Sequence, residues 1–296
     1  MKLLVTGRDG QVAQALSKCA SDTVEIVCVG RPELDLLDPA SIKTQVEAHR
    51  PDVVINPAAY TAVDKAESEP ELACAINRDG AGYVAEAAAR IGVPIIQIST
   101  DYVFRGDKPS PYTEDDATDP QGAYGASKLA GEQAVAAANP THSILRTAWV
   151  YAPWGNNFAK TMLRLAGDRD VVRVVADQHG TPTYAPDIAD GILAVARKML
   201  AEKEASDWRG VFHMTNSGAT SWAGFAEEIF ARSSERGGAS AGVEPITTAD
   251  YPTPAKRPAN SRLHTAKFTN VFSHTLPDWR EGVIRFCDQA HGKTRD

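Results

Sequence analysis

Short apolar or β-branched runs alternate with longer helical stretches along most of the chain, and this alternation constrains the fold more than any single residue. The runs are KLLVT (2–6), VEIVCV (24–29), DVVIN (52–56), PIIQI (94–98), SILRT (143–147), VVRVV (171–175) and VFHM (211–214). Helical patterns fall near 10–20, 39–49, 70–91, 124–138, 157–167 and 186–203. Strands that are apolar nearly throughout belong to a parallel sheet covered by helices on both faces. Right-handed crossovers then predict an α/β fold, a Rossmann-type doubly wound parallel sheet. After residue 215 the rhythm changes, with a helix near 221–236, the stretch GGASAGV (237–243) and the proline-rich run YPTPAKRPANSR (251–262). A chain of 296 residues is long for one core and short for two independent domains. The expected division is a dinucleotide-binding domain over 1–150, continued by 170–214, and a smaller C-terminal substrate-binding lobe from 151–169 and 215–296.

The first run ends in TGRDGQVAQAL, where Gly7 and Gly10 are followed by Gln11, Val12 and the small residue Ala13. Glycines in the first turn let the backbone approach a pyrophosphate, and a small third residue lets helix and strand pack closely. The spacing Gly-x-x-Gly-x-x-Ala is also found in plain turns, so its place after the first strand carries the reading. The second strand ends at Gly30 and Arg31, with no acid to bind a ribose 2′-hydroxyl. Arg31 is either a solvated loop residue or a clamp for a 2′-phosphate. The second option makes NADPH the expected coenzyme, with NADH possible. Asp35 lies too far along for the ribose but can reach the adenine amino group, with Leu36 beside it. The segment NPAAYTAVDKAE (56–67) ends the third strand, and its Ala58, Ala59 and Tyr60 are expected to flank the coenzyme.

Tyr124 and Lys128, in QGAYGASKLAGEQ, share one helical face at i and i+4. A free phenol titrates near 10, and a nearby ammonium lowers that value. The pair can therefore supply a tuned proton donor and a cation that grips the coenzyme ribose. The plainer alternative is a surface lysine below a half-buried aromatic. Thr100, in ISTDYVF at the carboxyl end of the fourth strand, sits where such sheets bind ligands and can hydrogen-bond a carbonyl.

A net charge of -7 argues against a nucleic-acid partner. No stretch reaches the length of a membrane span, and the N-terminal apolar run is too short for a signal peptide. The four cysteines lie far apart and the seven histidines form no HExxH pair, so no metal site is expected. A cytoplasmic protein is the expectation.

The combination of motifs resembles the extended short-chain dehydrogenase/reductases, and within them the dTDP-4-dehydrorhamnose reductase family. The blocks that carry the resemblance are GRDGQVAQAL, AAYTAVDKAESEP, STDYVF, YGASKLAGE, RTAWVY, GNNFAKTMLRLA, DQHGTPT and YPTPAKRPANSRL, spread from Met1 to about Trp279. It implies NAD(P)H-dependent reduction of a C4 keto group on a dTDP-sugar. Tyr124 matches the proton donor, Lys128 its partner and Thr100 the hydroxyl that holds the keto oxygen. Asp101 and Trp149 match positions beside the sugar, although Trp149 could be core and Asp101 a turn cap. Arg257 is the first candidate for the diphosphate, with Lys256, Arg262, Asn156 and Asn157 as others, and an N-cap role competes for Asn157. In some relatives helical glutamates hold a metal between two subunits. Here the helix QVAQALSKCA has no acid and Pro186 stands at the later position, so a monomer is expected rather than a metal-bridged dimer. Another nucleotide-sugar reductase or epimerase of the superfamily, or a non-catalytic regulatory subunit, remains an alternative.

Overall fold

Six strands form the parallel central sheet of the computed structural model, which describes residues 1–292. They are β1 (Lys2–Thr6), β2 (Glu25–Val29), β3 (Val53–Asn56), β4 (Ile95–Thr100), β5 (His142–Thr147) and β10 (Gly210–His213), in the order β10-β5-β4-β3-β1-β2. From β1 the chain runs outward to β2 and returns to the other side as β3, which opens a crevice at the carboxyl ends of β1 and β3. Side chains alternate across the sheet. Leu3, Val5, Val53, Ile55 and Ile96 face the core shared with α1 (Gln11–Ser17), α8 (Ala185–Ala201) and α10 (Ala266–Phe272). Leu4, Val54 and Ile95 face α2 (Pro39–His49), α5 (Ala81–Arg90) and α6 (Ala123–Ala138). Both faces are thus covered, as the apolar runs predicted.

A second core gathers Tyr151, Met162, Val174, Phe225, Phe230, Trp279 and Phe286. It is built from α7 (Phe158–Ala166), α9 (Trp222–Ser234), α11 (Trp279–Ala290) and the strand pair β7 (Val171–Val175) with β12 (Gly242–Ile246). The two-residue ladders β6 (Val150–Tyr151) with β9 (Thr183–Tyr184), and β8 (His179–Gly180) with β11 (Thr220–Ser221), link this lobe to the sheet side.

Two readings of the sequence change. The run 171–175 is a strand, but it pairs with β12 outside the central sheet. Its Val171 and Arg173 are exposed while Val172 and Val174 are buried, the alternation of a strand covered on one face only. The helix expected over 70–91 is divided. After α3 (Val63–Ala66) come α4 (Pro70–Cys74), a π-helical turn over Ala75–Gly80, and then α5. In that turn Asn77 is buried, with its side chain bonded to the Tyr60 backbone and to Ser127 Oγ. Two partners far away in sequence therefore hold the extra residue of the turn. No helix among the described residues is long and apolar enough to cross a membrane.

Candidate active site

A cleft of about 750 Å³ lies across the carboxyl ends of β1 to β5. At one end Gly7, Gly10, Gln11, Val12 and Ala13 line it. Gly7 has φ +75°, and a Cβ there would stand 2.9 Å from that of Ala58, so this turn admits only glycine without displacement. Its N–H bonds the Val29 carbonyl (2.7 Å), which joins the first turn to the end of β2. Arg31, Asp35, Leu36, Ala58 and Ala59 also line the cleft. Arg8 joins them. Its guanidinium donates to the Arg31 carbonyl (3.0 Å) and pairs weakly with Glu33 (3.4 Å). Two arginines therefore meet at the end of β2, and no acid of that loop except Asp35 lines the cleft. The cradle fits a phosphorylated dinucleotide: a glycine turn open to backbone approach, and two guanidinium groups where a 2′-phosphate would fall.

The other end is built by α6 and the end of β4. Glu67 accepts the Ala123 N–H (2.8 Å) and so caps α6, whose N-cap Gly122 has no side chain to do it. Tyr124, Lys128, Thr100, Asp101 and Tyr102 line the cleft together. Lys128 is 4% exposed, and its Nζ donates to the Ile98 carbonyl (2.7 Å). Burial brings its amine down to about 8, with the Glu132 carboxylate pulling the other way. Burial and the Asp101 carboxylate push the Tyr124 phenol above its ordinary value, and the Thr100 hydroxyl offsets part of that rise. A lowered phenol was the expectation. The net shift is upward because desolvation and Asp101 dominate, and the Lys128 ammonium is turned onto β4. Thr100 Oγ1 donates to Asp101 Oδ1 (2.9 Å), and burial raises the Asp101 carboxyl to about 6. Tyr102 meets Tyr124 edge to face at 5.5 Å. Trp149 closes this end of the cleft from a left-handed backbone, φ +49°. Its ring stacks on Trp222 of α9 at 3.5 Å, and a Cβ on Gly180 would come within 2.4 Å of it.

The model of a protein family described as the RmlD substrate binding domain matches residues 1–291. A dTDP-4-dehydrorhamnose reductase of Sinorhizobium fredii is 52% identical over 285 residues, which is 96% of each chain. The chain belongs to the dTDP-4-dehydrorhamnose reductase family. Two solved structures agree. A dTDP-4-dehydrorhamnose reductase from Clostridium acetobutylicum superposes with TM-score 0.89 at 40% identity, over 98% of this chain and 99% of that one. One from Bacillus anthracis, in complex with NADP, gives 0.90 at 36% identity over 97% and 99%.

Five residues named from the sequence stand outside the cleft: Tyr60, Asn157, Lys256, Arg257 and Arg262. The Tyr60 hydroxyl donates to Glu69 (2.7 Å). Asn157 caps α7 by accepting the Lys160 N–H (3.0 Å) and donates to Gln11 Oε1 (2.9 Å) and the Ala152 carbonyl (2.7 Å), so it braces the glycine turn from behind. Asn156, exposed beside it, lines the cleft. Arg257 pairs with Asp64 (2.6 Å) in a small adjoining pocket with Tyr102 and Lys256, and Arg262 is held by Asn260 and the Pro109 carbonyl. Arg8, Glu67 and Trp222 are residues that reading the sequence passed over. Arg8 lies between the two glycines of the first turn, and Glu67 lies inside the block AAYTAVDKAESEP. Nothing local in the sequence links Trp222 to Trp149.

Proposed function

We propose that the chain reduces the C4 keto group of dTDP-4-dehydro-L-rhamnose to give dTDP-L-rhamnose. The observation that carries the reading is the group formed by buried Thr100 and Lys128 with half-buried Tyr124, gathered at the end of β4 in a cleft that starts at the glycine turn. When bound, NADPH supplies the hydride. Thr100 and Tyr124 hold the keto oxygen, and Tyr124, kept protonated by burial, gives its proton to the alkoxide that forms. Lys128, one helical turn along, reaches the coenzyme ribose once its ammonium leaves the Ile98 carbonyl. Asp101 and Trp149 bind the sugar, and Arg257 with Lys256 receives the diphosphate once Arg257 turns from Asp64. The central sheet and its helices hold the coenzyme, and the second core carries the nucleotide-sugar side. We assign the reaction to the cytoplasm on its soluble coenzyme and four free cysteines, and a monomer on the absence of an acid from α1.

The test supplies dTDP-4-dehydro-L-rhamnose with NADPH, then with NADH, and follows the absorbance of the reduced nicotinamide and the sugar product. Formation of dTDP-L-rhamnose is expected. A protein that binds coenzyme yet consumes none would move the reading to another keto sugar or a regulatory subunit. The same assay checks the coenzyme end: Arg31→Ala is expected to raise the NADPH KM roughly ten- to a hundredfold, the worth of a charge-assisted bond, with little change for NADH. Equal losses with both coenzymes would remove Arg31 from the 2′-phosphate.

A further inference from the structure

Three successive residues at the end of β4 meet one face of α6. The Ile98 carbonyl accepts from Lys128 Nζ (2.7 Å), Ser99 Oγ donates to Glu132 Oε1 (2.5 Å), and Thr100 adjoins Tyr124. Tyr124, Lys128 and Glu132 follow one another at four-residue steps, so they share that face. Glu132 also binds Arg146 of β5 through two bonds, Oε1 to Nε (2.9 Å) and Oε2 to Nη2 (2.7 Å), and both side chains are 5% exposed. A buried ion pair is an expensive way to hold a helix, since apolar packing would do as well. This one stands one turn from a buried lysine.

We infer that Glu132 is a positioning residue, which fixes α6 against β4 and β5 and supplies the negative charge that the buried Lys128 ammonium requires. The role in turnover rests on the reading of Tyr124 and Lys128 given above; the charge role does not. Burial drives the Lys128 amine toward its neutral form, and Glu132 is the charge that opposes it. The other ionisable groups of the elements packed on α6 do not replace it. Asp101 and Tyr102, after β4, bear on Tyr124. Arg146 is committed to Glu132 itself. Asp64 and Lys65 of α3, Glu71 of α4, Arg78 and Asp79 of the π turn, Glu86 and Arg90 of α5, and His142 of β5 are exposed or half-exposed, where water and salt screen them.

The sign of the effect is fixed. The ammonium is present below the amine pKa and lost as pH rises through it. Glu132→Gln keeps an acceptor for Ser99 and Arg146 but removes the charge, so the ammonium is lost at lower pH. The amine is read directly by NMR of protein labelled at the lysine Cε, with Lys128→Arg to assign the signal. The basic limb of kcat/KM is read in parallel. Glu132→Gln is expected to move both downward by about one pH unit. Because a lone buried Arg146 can impair folding, Glu132→Gln/Arg146→Met is measured as well. Removing both partners restores neutrality and keeps an apolar contact over Phe104. The same downward move in the double variant supports the inference. An amine that titrates as in the parent, in either folded variant, overturns it and leaves Glu132 as the counter-ion of Arg146 alone. If the amine moves but the parent does not turn over the keto sugar, the charge role stands and the reaction assignment falls.

Discussion

Tyr124→Phe is expected to fold, to bind coenzyme as the parent does, and to lose about 10²- to 10⁴-fold in kcat, the usual contribution of a positioned general acid. The change removes one oxygen from a ring that packs edge to face on Tyr102 and leaves that contact in place. Thr100 loses little, because its own proton already goes to Asp101. Folding should therefore be spared. Activity should not, because the other donors of the site cannot stand in. The Lys128 amine donates to the Ile98 carbonyl, and the Tyr102 phenol, pushed up to about 12, is held to Arg257 rather than to the sugar end. The upward shift of Tyr124 fits an acid better than a base: a phenol held protonated is loaded before each turnover, and it yields its proton only to a stronger base such as an alkoxide. Steady-state kinetics with a fluorescence titration of the coenzyme separates the two effects. A Tyr124→Phe enzyme of full activity would sink the proton-donor role, and a parallel loss of coenzyme affinity would point to misplacement of α6 instead.

The elements legible in the sequence are those whose signal is local. The runs of β1, β3 and β4 are buried on both faces, so each declares itself as a strand of a covered parallel sheet. Val171–Val175 carries its own correction in Arg173: a charge at the centre of the run marks one solvated face, and that face excludes it from the central sheet. Its partner β12 was hidden because Gly242 and Pro245 weaken a strand pattern, and only pairing with β7 makes it one. In the site, the glycine turn and the Tyr124–Lys128 pair could be found because their residues are spaced by a turn or a helical step. Glu132 with Arg146, Trp149 with Trp222 and Glu67 with the α6 N-terminus are contacts made by topology. No periodicity encodes them. Arg257 shows the converse: its residue type suggests a diphosphate ligand, but its pairing with Asp64 could not be read from the sequence.

Gly131→Ala, a substitution that favours an isolated helix, is expected to destabilise this protein by about 1–3 kcal/mol and to lower Tm by roughly 2–5 °C. A Cβ at position 131 would lie 2.0 Å from the Asn77 carbonyl oxygen, well inside contact distance and against backbone. Gly125, nearer the start of the same helix, sets the same limit against the Tyr102 carbonyl at 2.2 Å. Neither neighbour is a flexible side chain that can turn aside. Asn77 is fixed in the π turn by Tyr60 and Ser127, and Tyr102 follows Thr100 by two residues, its N–H bonded to the Thr100 hydroxyl. Relief must come from movement of α6 away from the turn, by about an ångström, and α6 carries Tyr124 and Lys128. The second expectation is therefore a loss of about 10²-fold in kcat even in molecules that remain folded. Gly82→Ala gives the control on the neighbouring helix. Its Cβ would meet only Ala134 Cβ at 3.4 Å, an ordinary contact, so helix propensity should raise stability slightly and leave activity alone. Thermal melts and kinetics of the two variants side by side decide the matter. A Gly131→Ala enzyme as stable and active as the parent would show that α6 has slack at the π turn, and that the close approach of Gly131 does not set the position of the catalytic face.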